Sequence, residues 1–190
     1  MNNYVEIENK YDKLISKARE IMSDIKDYEH NLNHALDVVE YTKELLNRLD
    51  LDIDHEVCII SAYWHDVGRI EKNEGHELLS ASMLKEEMLN NSYDINLIDN
   101  CYKAIINHKW NMSPETVEGL IIRDADKLAF LGKNRWIECL NHNYKLDDII
   151  KLLPKLKSEI LYFQESKEIY DKLIIELINI LYEKVYYGDN

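Results

Sequence analysis

The sequence predicts an all-α protein that folds as a single compact helical bundle. Only five glycines and two prolines occur among 190 residues, whereas sheets and their turns need these residues more often. Apolar residues recur at the 3.6-residue spacing of amphipathic helices along much of the chain. Hydrophobic residues make up 46% and charged residues 31% of the chain, as is typical of a globular protein. Because no repeat or linker interrupts this pattern, one domain over residues 1–190 is expected.

The first half of the chain is predicted to contain three helices. Those at 8–27 and 31–49 have apolar side chains on one face. The third, at about 55–67, follows a polar link at 50–54 from which an aspartate could cap it. This helix is apolar on most sides, so we expect it in the centre of the fold.

The second half, after a charged loop from Gly68 to Gly75, is predicted to contain five helices. Ser113 is suited to cap the third of them and Pro114 to occupy its first position, while Gly132 would end it. The predicted ranges are about 76–89, 94–108, 113–131, 147–157 and 166–187.

Composition limits the possible partners and the location. The net charge of −13 and the pI near 5.0 argue against binding to nucleic-acid polymers or to anionic membranes. The sequence has neither a signal pattern at its start nor an apolar stretch of 18 residues. Cys58, Cys101 and Cys139 are widely spaced and lie in apolar segments, so we expect buried thiols in a reducing compartment. The predicted location is cytoplasmic.

A histidine and an aspartate, His65 and Asp66, stand side by side after the apolar run 57–64. Burying two ionisable groups there is costly unless something compensates their polarity. A divalent metal ion is the usual compensation, because imidazole nitrogen and carboxylate oxygen are both good ligands. The alternative is that the pair lies at a solvated helix end.

Helical phase places three further histidines, His34, His76 and His108, on inward faces of different helices. Each alone is more often a hydrogen-bonded core residue than a metal ligand. Together with an adjacent acid they favour a metal site, since bundles collect ligands from facing helices. The remaining histidines have mostly polar neighbours and are predicted at the surface or at helix ends: His30, His55 and His142.

The last acid of such a site is expected from Asp124 or Asp126. At positions i and i+2 of a helix they point about 200° apart, so only one can face the site directly. Periodicity does not choose well between them. Pairing with Arg123 or Lys127 at the surface is the alternative.

The order His34, His65-Asp66, Asp126 resembles the H…HD…D signature of the HD-domain superfamily of metal-dependent phosphohydrolases. Residues 62–69 resemble the family's LLHDIGK segment. Two further segments resemble the blocks that contain the family's third and fourth histidines, 75–81 and 105–108. Residues 124–132 resemble the DADRLDALG form of small stand-alone bacterial and archaeal members.

The resemblance covers about residues 28–132 and implies a bundle of the HD-domain or phosphodiesterase-like type. The helix at 8–27 and helices within about 133–187 would pack on this core. The apolar stripe of the last helix is expected to pack on the domain, with a homodimer seam as the alternative, so monomer and homodimer both stay open. The stripe comprises Ile169, Leu173, Leu177 and Ile180.

The resemblance also implies a ligand set. Asp126 is preferred over Asp124, because the family's ligand occupies that motif position. His76 and His108 match positions that can hold a second metal ion or contact phosphate. The first metal ion would be bound by His34, His65, Asp66 and Asp126. One or two divalent ions are expected, from among Mn, Fe, Co, Ni, Mg and Zn.

The implied activity is hydrolysis of a phosphomonoester, phosphoanhydride or phosphodiester of a nucleotide-like small molecule. A bound divalent ion lowers the pKa of the attacking water. Asp66 could orient or deprotonate that water. Arg69 stands where the family usually has lysine and could neutralise phosphate charge, with Lys72 and Lys127 as weaker candidates.

Three alternatives stay open. A non-catalytic nucleotide-binding regulatory module would be stabilised by its ligand without turnover. A di-iron oxygenase on the same fold would contain iron and require oxygen. A structural helical adaptor would bind no metal, so that replacing His65 by Ala would leave the metal content unchanged.

Overall fold

The computed structural model describes residues 3–27, 29–132, 135, 151 and 153–187. These residues are helical or irregular and form no strand, which confirms the all-α prediction. Cys139, His142 and the first part of the helix predicted at 147–157 lie outside the described residues.

The principal helices follow the predicted order along the described part of the chain. A short 3₁₀ helix at Val67–Ile70 and a π-helical turn at Leu156–Ile160 accompany them. The helices are α1 (Asn3–Lys10), α2 (Asp12–Asp24), α3 (Leu32–Arg48), α4 (His55–Trp64), α5 (His76–Asn90), α6 (Ile95–Ile106), α7 (Val117–Ala129) and α8 (Gln164–Tyr187).

Short polar side chains cap the starts of four helices. Asn31, Asp54 and Asp94 each accept two backbone N–H groups in the first turns of α3, α4 and α6. Thr116 accepts the N–H of Gly119 at 3.1 Å and caps α7. Each cap satisfies N–H groups that have no partner within the helix and contributes about 1 kcal/mol. Asp54 is therefore the capping aspartate that the 50–54 link was expected to supply.

The predicted start of α7 at Ser113 is wrong. Thr116 is extended and its hydroxyl occupies the cap, so the helix begins at Val117. Pro114 instead packs against this start: a Cβ added at Gly119 would lie 3.0 Å from the Cβ of Pro114. The side-chain cap of Thr116 thus decides the boundary.

The single helix predicted at 8–27 is also wrong in detail. The helical region begins at Asn3, and Tyr11 departs from helical geometry with φ −108° and ψ 22° between α1 and α2. The helical pattern of backbone hydrogen bonds still continues here. The N–H of Tyr11 donates to the carbonyl of Ile7, and the carbonyl of Tyr11 accepts the N–H of Ile15. The Tyr11 ring is buried at this irregular position, and its hydroxyl donates to Glu56 on α4.

Helix α4 lies in the centre of the fold, as predicted. All its residues from Val57 to Trp64 are buried, and it contacts α1, α2, α3, α5, α6 and α7. Cys58 on α4 and Cys101 on α6 are buried free thiols. Because α4 ends at Trp64, His65 and Asp66 form a turn at the end of the most buried helix.

Helix α8 packs against two earlier helices of the bundle. It contacts α7 and α3, and Ile169, Leu173 and Leu177 of its apolar stripe are buried. One cluster of buried apolar side chains extends from Tyr4 to Leu177. The single domain over 1–190 stays a prediction. None of the described helices has the length and apolarity needed to cross a bilayer.

Gly68 allows the turn after His65 and Asp66 to lie directly on the start of α5. Its N–H donates to the hydroxyl of Ser80 at 2.8 Å. A Cβ at position 68 would lie 2.5 Å from the carbonyl oxygen of His76 and 2.7 Å from the backbone nitrogen of Ser80. Since both are backbone atoms of a helix, neither can move aside alone.

Gly68→Ala is therefore expected to lower the free energy of unfolding by about 3 kcal/mol, because overpacking displaces the turn from α5. Gly75→Ala is the control, since φ there is 73° but an added Cβ would meet only the Lys72 side chain, at 3.6 Å. Its left-handed backbone should cost only about 1 kcal/mol. Urea unfolding of both variants gives the comparison, and an equal or smaller loss for Gly68→Ala would contradict the packing argument.

Candidate metal centre

Six predicted site residues converge where five helices meet. His34 lies in the first turn of α3, His76 begins α5 and Asp126 lies on α7. His65 and Asp66 follow α4, and His108 follows α6. Each of the six is at most 8% exposed. The ends of these helices thus bring four imidazole rings and two carboxylates together in the core.

Asp66 divides the four histidines into two pairs. Its Oδ2 lies 3.8 Å from Nε2 of His34 and 3.7 Å from Nε2 of His65. Its Oδ1 lies 2.9 Å from Nε2 of His76 and 3.6 Å from Nε2 of His108. Each triad, one pair with Asp66, has ligand atoms within 4.8 Å of one another and could hold a metal ion. One carboxylate therefore joins two adjacent candidate positions.

Backbone carbonyl groups fix the orientation of three of these rings. Nδ1 of His65, His76 and His108 lies 2.7–2.8 Å from a carbonyl oxygen three residues earlier. A carbonyl only accepts, so each Nδ1 carries the proton and donates it. In a neutral imidazole Nε2 then has a free lone pair. This is the tautomer that metal-binding histidines adopt when a backbone carbonyl orients them.

In this neutral form the Nε2 lone pairs face the Asp66 carboxylate without a proton between them. Nε2 of His65, Nε2 of His76 and Oδ1 of Asp66 are buried and have no hydrogen-bond partner among the described residues. Leaving such atoms unpaired in the core is unfavourable. A divalent cation would satisfy all of them, so the donor set fits a metal ion.

The ionisation of the site supports this interpretation. Burial lowers the pKa of His65 to about 3 and also lowers the pKa of His34, so both rings are neutral near pH 7. Burial alone would raise the pKa of Asp66, but the surrounding histidines and Arg69 hold it well below its usual value. Asp66 is thus ionised near pH 7.

Asp126, and not Asp124, lies at this site. Oδ1 of Asp126 is 3.2 Å from Nε2 of His34, and its other oxygen pairs with Lys127. Asp124 is fully buried elsewhere and accepts the N–H groups of Tyr162 and Phe163 at 2.9–3.0 Å, just before α8. Both contact the cations named in the alternative, Asp126 with Lys127 and Asp124 with Arg123 at 3.9 Å, but both are buried and not at the surface.

The predicted cations differ in position. Nε of Arg69 lies 2.7 Å from Oδ2 of Asp66. Lys127 is next to the site through Asp126. Lys72 is exposed in the loop before α5 and does not line the cavity described below.

A cavity of about 240 Å³ opens beside the metal centre. The predicted Arg69, Asp126 and Lys127 line it together with six residues that sequence reasoning did not place at the site. These are His30, Lys109, Trp110, Phe130, Arg135 and Leu156. Most of the cavity's charged groups are basic, although the chain carries a net charge of −13.

His30 lies at a helix end, as predicted, one residue before the cap Asn31 of α3, but it also lines the cavity. Its ring is 5.7 Å from that of His34 and its Nδ1 is 2.7 Å from a carboxylate oxygen of Asp27. Because His30 precedes the helix, helical phase gave no signal of its position near His34. Arg135 had no signal either, because it lies after the segments that resemble the family's motifs.

Comparison with known proteins gives one family and two relatives. A model of the HD domain matches residues 31–131. An uncharacterised protein of Clostridium beijerinckii is 28% identical over 127 residues, 65% of this chain and 80% of that protein. A deoxyguanosinetriphosphate triphosphohydrolase-like protein of Caldanaerobacter subterraneus subsp. tengcongensis is 24% identical over 193 residues, 85% of this chain. The match spans 56% of the length of that protein.

A solved structure shares the fold. The crystal structure of a predicted HD superfamily hydrolase from an uncultured Thermotogales bacterium superimposes with a TM-score of 0.72. The two chains are 20% identical, and each is covered completely. The bundle is therefore of the type that the sequence resemblance implied.

Asp126→Asn and Asp124→Asn are expected to separate metal binding from stability. Asp126→Asn should lower metal affinity at least tenfold, since it removes a charged oxygen next to His34. Asp124→Asn should leave the metal content unchanged but lower the free energy of unfolding by about 1–3 kcal/mol, because a buried acceptor of two N–H groups is weakened. Elemental analysis and urea unfolding measure the two effects. Metal loss in Asp124→Asn alone would reverse the assignment.

The metal-free protein is expected to lose stability as the pH falls below 6.5. The unfolded chain protonates His65 near its ordinary pKa of 6.5, whereas the folded chain does so only near 3. The unfolded state therefore binds more protons in this window, and the group contributes a slope of about 1.4 kcal/mol per pH unit. Urea unfolding in EDTA between pH 6.5 and 4.5 measures it. His65→Asn should have a shallower slope, and an unchanged slope would refute the attribution.

Proposed function

The chain belongs to the HD-domain family, and from this we propose that it is a metal-dependent phosphohydrolase acting on a nucleotide-like small molecule. The bond cleaved is a phosphomonoester, phosphoanhydride or phosphodiester. One observation carries the proposal: on both sides of Asp66 two buried histidines place ring nitrogens within 4.8 Å of each other and of its carboxylate, and backbone carbonyls orient three of these rings. Such a set is suited to one or two divalent ions next to a basic cavity.

In the proposed site, His34, His65, Asp66 and Asp126 hold one ion, and Asp66, His76 and His108 are placed to hold a second. Bound divalent ions lower the pKa of water and offset negative charge on phosphoryl oxygens. The protein's own contribution is to orient and to exclude solvent, since all six side chains are buried and three rings are held by carbonyl groups.

Arg69 and Lys127 would neutralise phosphate charge in this proposal. Each is already next to a carboxylate of the site, Arg69 to Asp66 and Lys127 to Asp126. Both side chains also line the cavity, so a phosphate there would lie between these cations and the metal centre. Lys72, in contrast, has no part in the proposal. The further role of Asp66, orienting or deprotonating the attacking water, stays a prediction.

Two features support a nucleotide-like substrate. Trp110 is 51% exposed at the cavity, where its ring could stack on a base. The Caldanaerobacter relative is named as deoxyguanosinetriphosphate triphosphohydrolase-like. A cavity of about 240 Å³ suits part of a small molecule, and the net charge of −13 opposes binding of nucleic-acid polymers.

The protein purified without chelator is expected to contain divalent metal and to release phosphate or nucleoside from members of a nucleotide panel. The panel is assayed with Mn²⁺, Co²⁺, Ni²⁺ and Mg²⁺, and metal content is measured by elemental analysis. His65→Ala should lose metal and at least 100-fold in kcat/KM, because it removes a predicted ligand of the first ion.

Lys72→Ala is the control and should change neither metal content nor kcat/KM, since its side chain is exposed outside the cavity. Stabilisation by nucleotides without turnover by the metal-loaded protein would instead favour a regulatory module. Absence of metal from both wild type and His65→Ala would favour a structural role.

A further inference from the structure

We propose that Arg135 binds a second phosphate group of the substrate and so makes the site selective for molecules with at least two linked phosphates. This inference rests on the proposed phosphohydrolase function and names the substrate class more narrowly. Arg135 would act as a specificity-determining residue at the wall of the cavity, while the metal centre takes the phosphate that is cleaved.

The guanidinium of Arg135 is buried without strong pairing. The residue is 9% exposed, and its Nε has no hydrogen-bond partner among the described residues. Among the described residues its nearest polar contacts are long, 3.4 Å from Nη1 to Nδ1 of His34 and 3.6 Å from Nη2 to Glu29. A guanidinium can donate five N–H groups and matches phosphate oxygens in a bidentate manner. A buried cation with spare donors at a cavity wall is a built site for an anion.

The position of Arg135 relative to the metal centre suits a diphosphate. Nε2 of His34 faces Asp126 and Asp66, whereas Nδ1 of the same ring faces Arg135. The guanidinium is therefore separated from the predicted ligand atoms by one imidazole ring and a further 3.4 Å beyond Nδ1. Two linked phosphates extend farther from the metal centre than one phosphate does. A phosphate next to the metal centre would thus leave its neighbour within reach of Arg135.

Other contacts keep the guanidinium in place when it is not bound to an anion. Its central carbon lies 4.7 Å from the centre of the Phe130 ring, a cation–π contact. Arg69, Lys109 and Lys127 contribute further positive charge to the cavity, but each lies within 3.1 Å of a carboxylate oxygen. Arg135 therefore has the weakest carboxylate pairing of these four.

Arg135 is also a feature of this chain beyond the matched domain, because the family model ends at residue 131. Leu156, which lines the same cavity, likewise lies outside that match. The part of the chain after the family core thus contributes to the cavity wall.

Binding of methylenediphosphonate and methylphosphonate tests the proposal, since phosphatases do not hydrolyse either molecule. Calorimetric titrations use the full chain, both loaded with Mn²⁺ and treated with EDTA. We expect the wild type to prefer the diphosphonate. Arg135→Gln should weaken diphosphonate binding about 10- to 100-fold, as loss of hydrogen bonds to a charged group implies, and methylphosphonate binding by less than about threefold. Arg135→Lys keeps the charge but lacks the paired N–H donors of a guanidinium. Its affinity for the diphosphonate should therefore lie between those of the wild type and Arg135→Gln.

Arg123→Gln is the matched control. Arg123 is also 9% exposed and also has a buried Nε without a partner among the described residues, but it does not line the cavity. Its substitution should leave diphosphonate affinity unchanged, even if both variants lower the unfolding temperature. No preference by the wild type, or equal losses in Arg135→Gln and Arg123→Gln, would overturn the proposal.

Turnover separates this inference from the proposed function. If the function holds, Arg135→Gln should lower kcat/KM for a nucleoside diphosphate at least tenfold more than for the monophosphate. Failure of the metal-loaded wild type to hydrolyse any nucleotide would refute the phosphohydrolase but leave the diphosphonate result to decide the role of Arg135. Equal effects on both substrates, with an active wild type, would refute the inference alone.

Discussion

The structure depends on the need to compensate one buried carboxylate. Asp66 is 1% exposed, and an isolated charge in such a place would destabilise the fold by several kcal/mol. His65, His76, His108 and Arg69 hold it in the charged form. Helices α3, α4, α5 and α6 each begin or end close to this point. The arrangement of the bundle and the composition of the site follow from the same requirement.

Helix ends supply the groups that orient the rings. The carbonyl groups of Ala62 and Ile105 belong to the last turns of α4 and α6, where carbonyls lack their regular helical partner. That of Ile105 also accepts the backbone N–H of His108 at 3.3 Å. His65 and His108 donate Nδ1–H to these carbonyls. The same contact satisfies a backbone acceptor and leaves Nε2 directed at Asp66. These two hydrogen bonds thus stabilise the helix ends and also orient the ring nitrogens that could bind a metal ion.

The sequence allowed the fold class and the central position of α4 to be predicted, because apolar periodicity and the uniformly apolar segment 57–64 are local signals. It also directed attention to the residues that converge at the site, since their helical phase and their resemblance to the HD-domain family agree. Asp124 and Asp126 could be separated by the family motif but not by phase, as both have apolar neighbours. Arg135 could not be found at all. Its proximity to His34 is produced by tertiary packing across 101 positions, which leaves no periodic pattern in the chain.

The spacing of Asp124 and Asp126 has a consequence for how α7 can move. One carboxylate is held by the backbone before α8 and the other lies beside His34 on nearly the opposite side of the helix. Rotation of α7 about its own axis would break both contacts at once, so the helix has a single rotational setting. Insertion or deletion of one residue between the two positions would turn one of them by about 100°. The short segment 124–126 therefore fixes how α7 is rotated relative to the backbone before α8 and to His34 in the centre of the bundle.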